Sequence, residues 1–286
     1  MLLSSVEYIR PETIGEATSA LGSAPTARVL AGGQSLINVL KQRVATCELL
    51  VDVSRLEPLR SIDIGSDGSA EIGAAVTYDD LDRSSALRGS HAKVSEVAEF
   101  TVDQQVRCRG TIGGNACFND PTSNFPPLLV ALEATMVITG ADGEREVAAE
   151  DFFHGPLHTA VQAGELLRAI RLPPLAGRGI GYVSIQLAED SWALARACAV
   201  LSGNGVIDDV RVVLGCVAPA PLRATALEER LRGGERTAEA IEAAAPAARE
   251  GLAPVSDVHA SGEYRREMAA VVAKRALLQA TGSASA

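Results

Sequence analysis

Residues Arg107-Cys108-Arg109-Gly110-Thr111-Ile112-Gly113-Gly114-Asn115, RCRGTIGGN, carry a pair of adjacent glycines, and the chain already holds such a pair at Ala31-Gly32-Gly33-Gln34-Ser35, AGGQS. Glycine lacks a Cβ and reaches positive φ freely, so a ligand can approach its backbone, and successive N–H groups in such a turn form a concave anion site. Taken singly, each pair is a tight turn or a bulge in a sheet. Two pairs from distant parts of one chain, each followed by small polar residues, can converge on a pyrophosphate and bind it through N–H and hydroxyl donors without a lysine. Neither fits the familiar nucleotide templates. No G-x-G-x-x-G follows the first strand and no G-x-x-x-x-G-K-[ST] occurs, which disfavours a Rossmann or P-loop fold.

Working outward, the pattern is α+β. Thr13 and Glu16 have the spacing of a capping box and open a helix to about Leu21. ARVLAGG then reads as a strand running into the first glycine turn, SLINVLKQR as a helix, and ELLVDVS as a short apolar strand. AEIGAAVTYDDL gives another strand, with Thr77 and Asp80 again in capping-box spacing. Beyond the second pair, Pro126 or Pro127 can begin a short helix, and ATMVITGADGEREV turns as a hairpin at Asp142-Gly143. LLRAIRLP is a strand ending at Pro173-Pro174, and PPLAGRGIG (173–181) reads as a linker. After it come strands in DSWALARACAVLSG and IDDVRVVLGCV, then helices, the last ending at Gly282 before a frayed Ser-Ala-Ser-Ala end.

Composition narrows the function. A chain of 286 residues, 47% apolar and 22% charged, has the make-up of a folded protein of two domains or so. Its net charge of -10 argues against a general nucleic-acid or anionic-membrane binder. No run of apolar residues is long enough for an integral membrane segment, and the N-terminus lacks a signal-peptide pattern, so a cytoplasmic location is expected. Five cysteines without a C-x-x-C pair suggest neither a disulfide scaffold nor a metal set. The four histidines are scattered, outside any hydrolase motif, and read as structural. Arg107 and Arg109 either offset phosphate charge, face a partner, or are solvated.

These residues carry a resemblance. AGGQSL followed by LLVDVSRL, then RGTIGGN, DPTSN and LEATMVITG, are similar to the flavin-binding medium subunit of molybdenum hydroxylases, the group of carbon monoxide dehydrogenase and the FAD segment of xanthine dehydrogenase. YIRPETIGEA near the start, AEDFFHG to AIRLP, and PVSDVHASGEYRREMA near the end extend the likeness over nearly the whole chain. The resemblance implies a vanillyl-alcohol-oxidase-like (PCMH-type) FAD-binding domain of two α+β subdomains, 1–54 and 55–174, and a C-terminal α+β domain of the carbon monoxide dehydrogenase flavoprotein type, 178–286, with FAD extended between them. Ala31, Gly32, Gly33, Gln34, Ser35 and Leu36 would hold the pyrophosphate from one side. Thr111, Ile112, Gly113, Gly114 and Asn115 would hold it from the other, with Asp120 beyond them. Asn124 stands where the family commonly has an acidic residue on the ribose, and Trp192 where an aromatic, in the first strand of the C-terminal domain, covers the flavin ring. The segment before Trp192, IQLAEDS, is shortened and lacks the family's basic character.

The resemblance further implies an electron-transfer flavoprotein subunit with non-covalent FAD, since Gln34 cannot form a histidyl–flavin bond. A small partner would bring 2Fe–2S clusters and a large partner the molybdenum cofactor, in an α2β2γ2-type heterohexamer. No side chain of this chain need act as acid or base. Two other functions fit the same residues: a self-sufficient flavoprotein oxidoreductase of the same fold, and a scaffold subunit that has lost FAD.

Overall fold

The computed structural model of the chain describes residues 2–101, 103–188 and 191–282. The Ser283–Ala286 end expected to fray, and Glu189 and Asp190 of the shortened segment, lie outside them. The chain divides into two compact units, one of residues 1–118, 134–152 and 157–174, the other of residues 119–133, 153–156 and 175–286.

The first unit holds two sheets. In a three-stranded parallel sheet, Leu49–Asp52 lies between Glu7–Ile9 and Arg28–Leu30. Parallel neighbours need crossovers, and the Ile14–Ser23 helix supplies one. Thr13 caps that helix by accepting the Glu16 N–H at 3.1 Å, and the helix buries Ala17 and Leu21 against Val51, Val53, Leu56 and Leu59. A five-stranded antiparallel sheet runs in the order Ile62–Ile64, Ala70–Gly73, Leu166–Leu172, Thr135–Gly140, Gly143–Ala148. The last two strands are the expected hairpin, with Gly143 at φ +108°. Thr77 and Asp80 form both halves of the expected capping box on the Tyr78–Arg83 helix.

The second glycine pair departs from expectation. Gly113 and Gly114 lie in the first turn of an Ile112–Phe118 helix, and neither has positive φ. Tertiary contacts decide this. The Ile112 N–H donates to Val76 O at 3.0 Å, the Gly113 N–H to Ala74 O at 3.0 Å, and Thr111 caps the helix by accepting the Gly114 N–H at 3.0 Å. A Cβ on Gly113 would stand 2.5 Å from the Cβ of Ala74. Glycine is needed there for close packing rather than for a turn.

In the second unit, a four-stranded antiparallel sheet follows chain order through Gly179–Gln186, Ala193–Ser202, Asp209–Gly215 and Leu222–Arg223. The Gly179–Gln186 strand corrects the linker reading of PPLAGRGIG. Its glycines let the Gly262–Ala280 helix settle on the strand, since a Cβ on Gly179 or Gly181 would lie 1.8 or 1.9 Å from the carbonyl oxygen of Ala280 or Ala276. This strand, not the one after Trp192, is therefore the first of the C-terminal sheet. The core is built largely from alanine and valine, including Ala195, Ala197, Val212, Val272 and Ala276. With only 3% aromatic residues, helix and sheet must approach closely to exclude water.

The DPTSN segment belongs to this unit, and each of its last four carbonyls is held from the sheet. Cys216 N–H donates to Pro121 O at 3.1 Å. The buried Arg196 donates through Nη1 to Thr122 O at 2.8 Å and Ser123 O at 2.5 Å, and Tyr182 Oη donates to Asn124 O at 2.8 Å. Tyr182 is 3% exposed, and burial pushes its hydroxyl pKa up, so the group stays a donor. Tyr182→Phe strands the Asn124 carbonyl without its donor and is expected to destabilise the fold by about 1–2 kcal/mol. An unshifted urea midpoint would show that this tether contributes nothing.

Candidate functional site

A cavity of about 490 Å3 lies within the first unit, in the size range of ligand sites, ~300–1,000 Å3. Three stretches of chain shape its wall. The first is the connection from the Arg28–Leu30 strand to the Leu36–Lys41 helix, which brings Ala31, Gly32, Gly33, Gln34, Ser35 and Leu36 to the lining. The second is the start of the Ile112–Phe118 helix, with Thr111, Gly113, Gly114 and Asn115. The two glycine segments therefore do meet. Gly32 packs so closely on Arg109 and Gly110 that a Cβ would stand 1.9 Å from Arg109 O and 2.9 Å from Gly110 Cα.

They offer different groups. Gly33 has φ +73°, the left-handed region that favours glycine. Around it, the N–H groups of Gly33, Gln34, Ser35 and Leu36 have no protein acceptor among the described residues. That is the donor set expected at a helix start. In the second segment the N–H groups of Ile112, Gly113 and Gly114 are already used within the fold. It presents instead the Thr111 hydroxyl, the open face of Gly114, and Asn115, which bonds the Tyr78 hydroxyl. The N–H and hydroxyl donors expected of the two segments are thus divided between them: the first offers backbone N–H groups and the second offers side chains.

Not every expected residue reaches this cavity. Ile112 points into the core with no exposed surface. Asp120, Asn124 and Trp192 belong to the second unit. There Asp120 accepts the Thr122 N–H at 2.8 Å in an Asx turn, Asn124 stands at the N-cap of the Phe125–Ala131 helix without a side-chain capping bond, and Trp192 is 71% exposed just before the Ala193–Ser202 strand.

The third stretch of wall, Leu157 to Leu167, was not among the expected site residues. It brings His158, read from sequence as structural, together with Gln162 and Glu165. Its one sequence signal was the AEDFFHG to AIRLP likeness. The floor is apolar, with Leu21, Val29, Val53, Leu59, Leu166 and Leu167. Burial pushes Tyr78 and Cys117, both on the lining, up to about 12. Both stay neutral at physiological pH, and Cys117 is no nucleophile. Among the described residues Glu165 is the single carboxylate on the lining; Arg145 bonds it and holds its pKa below the ordinary glutamate value. In a chain of net charge -10, this cavity therefore carries no uncompensated negative charge from the described residues.

A second hollow of about 380 Å3 shares Gly32, Gly33 and Gln34 and adds the cations Lys41 and Arg109. Arg107, by contrast, is turned to the Thr101 carbonyl at 3.0 Å and to Gln104. Among the described residues no cluster of metal-ligating side chains occurs, and no helix is long and apolar enough to cross a membrane. Glycine backbone open to approach, free N–H groups, neutral polar side chains and an apolar floor are what a flavin dinucleotide requires: a dianionic pyrophosphate carried between two flat, largely apolar ring systems.

Comparison with known proteins agrees with that chemistry. A family model described as "FAD binding domain in molybdopterin dehydrogenase" matches residues 4–175, and one described as "CO dehydrogenase flavoprotein C-terminal domain" matches residues 182–280. The carbon monoxide dehydrogenase medium chain of Hydrogenophaga pseudoflava is 38% identical, over 97% of each chain. The glyceraldehyde dehydrogenase medium chain of Sulfolobus acidocaldarius is 34% identical, over 94% of this chain and 96% of its own. Among solved structures, carbon monoxide dehydrogenase from Hydrogenophaga pseudoflava superposes with a TM-score of 0.95 at 36% identity, covering 100% of both chains. By these matches the chain belongs to the FAD-binding medium subunits of the molybdenum hydroxylases.

Proposed function

We propose that the chain works as the FAD-carrying electron-transfer subunit of a heteromeric molybdenum hydroxylase, taking electrons from 2Fe–2S clusters in a small partner and passing them to an external acceptor. The observation that carries this reading is the convergence of Gly32–Leu36 with Thr111–Asn115 on one cavity, in a chain whose family models cover both its domains. When bound, FAD supplies the redox chemistry, exchanging electrons singly or in pairs.

The chain's own residues bind and orient. The N–H groups of Gly33 to Leu36 offset pyrophosphate charge. The Thr111 hydroxyl, whose oxygen already accepts the Gly114 N–H, has its proton free to donate. Tyr78 and Asn115 give neutral hydrogen bonds, and the leucine and valine floor excludes water. With Tyr78 and Cys117 pushed up to about 12, neither side chain is poised to exchange a proton at neutral pH.

The division 1–54 and 55–174 separates the two sheets of the first unit, although residues 119–133 and 153–156 cluster with the second unit, and it stands as part of this reading, as do the α2β2γ2 stoichiometry and a cytoplasmic location. The roles that family likeness gives Asp120, Asn124 and Trp192 rest on the likeness alone. Asp120→Ala and Asn124→Ala test two of them through FAD affinity. Trp192→Ala is expected to change the flavin absorption spectrum and to speed reaction with small acceptors; an unchanged spectrum and rate would remove Trp192 from the site.

The test of the whole is to tag the chain, express it with its neighbouring genes, and record the absorption of what copurifies. Superposed flavin and iron–sulfur bands that a substrate bleaches support the reading. Flavin bands alone point to a self-sufficient flavoprotein, and a colourless intact assembly to a scaffold.

A further inference from the structure

The wall segment Leu157–Leu167 has little internal reason to hold its shape. Only the short His158–Thr159 strand and the start of the Leu166–Leu172 strand are regular, and Gly164 turns the chain at φ +80°. The Ala160 N–H donates to Phe152 O at 2.9 Å, and the rest of the segment's anchoring comes from the neighbouring hairpin. Arg145, on the Gly143–Ala148 strand, forms a two-pronged pair with Glu165, Nε to Oε1 at 2.8 Å and Nη2 to Oε2 at 2.7 Å. The same Nη2 also donates to the Ala160 carbonyl at 2.6 Å. Glu165 in turn accepts the Gln162 N–H at 2.8 Å, and its own N–H donates to Gln162 O at 3.1 Å. One guanidinium thereby ties both ends of the Ala160–Glu165 loop.

The surroundings are shaped for this clamp. Gly140 leaves the space that the Glu165 stem occupies, since a Cβ there would stand 3.1 Å from Glu165 Cγ. Gly164 turns beside the Ile14–Ser23 helix, where a Cβ would meet Gly22 Cα at an ordinary contact distance of 3.6 Å. The pair is partly screened, with the Glu165 side chain 16% exposed. Geometry of this kind favours arginine over lysine, because only the planar fork engages both carboxylate oxygens at once.

We infer that Arg145 and Glu165 are positioning residues for FAD retention: the pair fixes the Ala160–Glu165 loop as a wall of the cavity and offsets the negative charge that Glu165 brings to its lining. This rests on the cavity being the FAD site. Arg145 reaches no lining surface itself and acts only through the loop. The order that the clamp imposes before binding is order that FAD binding does not have to impose, which appears as slower release.

The experiment uses the full chain with FAD bound and compares Arg145→Ala, Arg145→Lys and the reversed pair Arg145→Glu/Glu165→Arg. Arg145→Ala is expected to speed FAD release by about tenfold, with faster amide exchange confined to 157–167 and an FAD-free melting midpoint within about 2 °C of the parent. Lysine at 145 should fall between the two, and the reversed pair should bring release back within about threefold of the parent. Unchanged release in Arg145→Ala, or a general loss of stability without local exchange, overturns the role. If Gly114→Val loses FAD while Arg145→Ala releases it at the parent rate, the clamp alone is wrong; if neither variant affects FAD, the cavity reading falls with it.

Discussion

Gly32→Ala is expected to abolish FAD retention and to lower stability by at least ~3 kcal/mol, the upper part of the range for forced overpacking. The added Cβ would stand 1.9 Å from the Arg109 carbonyl oxygen, 2.7 Å from its carbon and 2.9 Å from Gly110 Cα. All three are backbone atoms, so no side-chain rotation relieves the clash. Residues 109–110 cannot retreat without strain, because the Gly110 carbonyl accepts the Tyr78 N–H at 3.0 Å and a Cβ built at Gly110 already sits 2.8 Å from the Tyr78 ring. Separating the segments moves the two halves of the cavity apart, where a shift of about 1 Å is enough to break hydrogen bonds to a phosphate. Flavin content per chain and the urea midpoint check both parts. Stoichiometric FAD with an unmoved midpoint would mean that the contact between the two segments is dispensable.

That contact is also where the sequence was most and least informative. Two glycine pairs, each with small polar neighbours, pointed to Gly32–Ser35 and to Thr111, Gly113, Gly114 and Asn115, which line one cavity. Sequence could not show that one pair turns the chain and the other starts a helix. Gly33 uses positive φ, which local propensity anticipates. Gly113 is glycine because Ala74 lies against it, a contact between residues far apart in the chain. The same limit explains the Gly179–Gln186 strand. Its glycines read as a break, yet they serve close approach to Ala276 and Ala280 on the closing helix, far downstream. The Leu157–Leu167 wall escaped notice for a related reason. Its shape comes from Arg145 on a different hairpin, and neither Arg145 nor Glu165 stands in a motif. Apolar patterning and turn residues, by contrast, located the Thr135–Ala148 hairpin, the Ala193–Ser202 and Asp209–Gly215 strands and the existence of the closing helix, whose buried face runs through Arg265, Ala269, Val272 and Ala276.

Gly114→Val separates binding from folding in a way that Gly32→Ala does not. At Gly114 the nearest obstacle to a Cβ is the Thr111 hydroxyl oxygen at 2.7 Å, with no backbone atom in the way. That oxygen is the helix cap, accepting the Gly114 N–H at 3.0 Å, so valine displaces it at a cost of about 1 kcal/mol. A domain with ~5–15 kcal/mol of stability tolerates that. The cavity does not tolerate the change as well, because Gly114 and Thr111 are both on its lining. Two methyl groups would fill space beside the first turn of the Ile112–Phe118 helix, and the displaced hydroxyl could no longer donate to bound phosphate. FAD occupancy is expected to fall at least tenfold, a loss of ~1.4 kcal/mol or more in binding, with the circular dichroism spectrum kept. Gly114→Ala should give a smaller loss in the same direction. Full flavin occupancy in the valine variant would remove the second segment from the binding site and leave the N–H groups of Gly33 to Leu36 as the sole pyrophosphate contacts. Flavin loss accompanied by unfolding would instead show that Gly114, like Gly113, is held for packing.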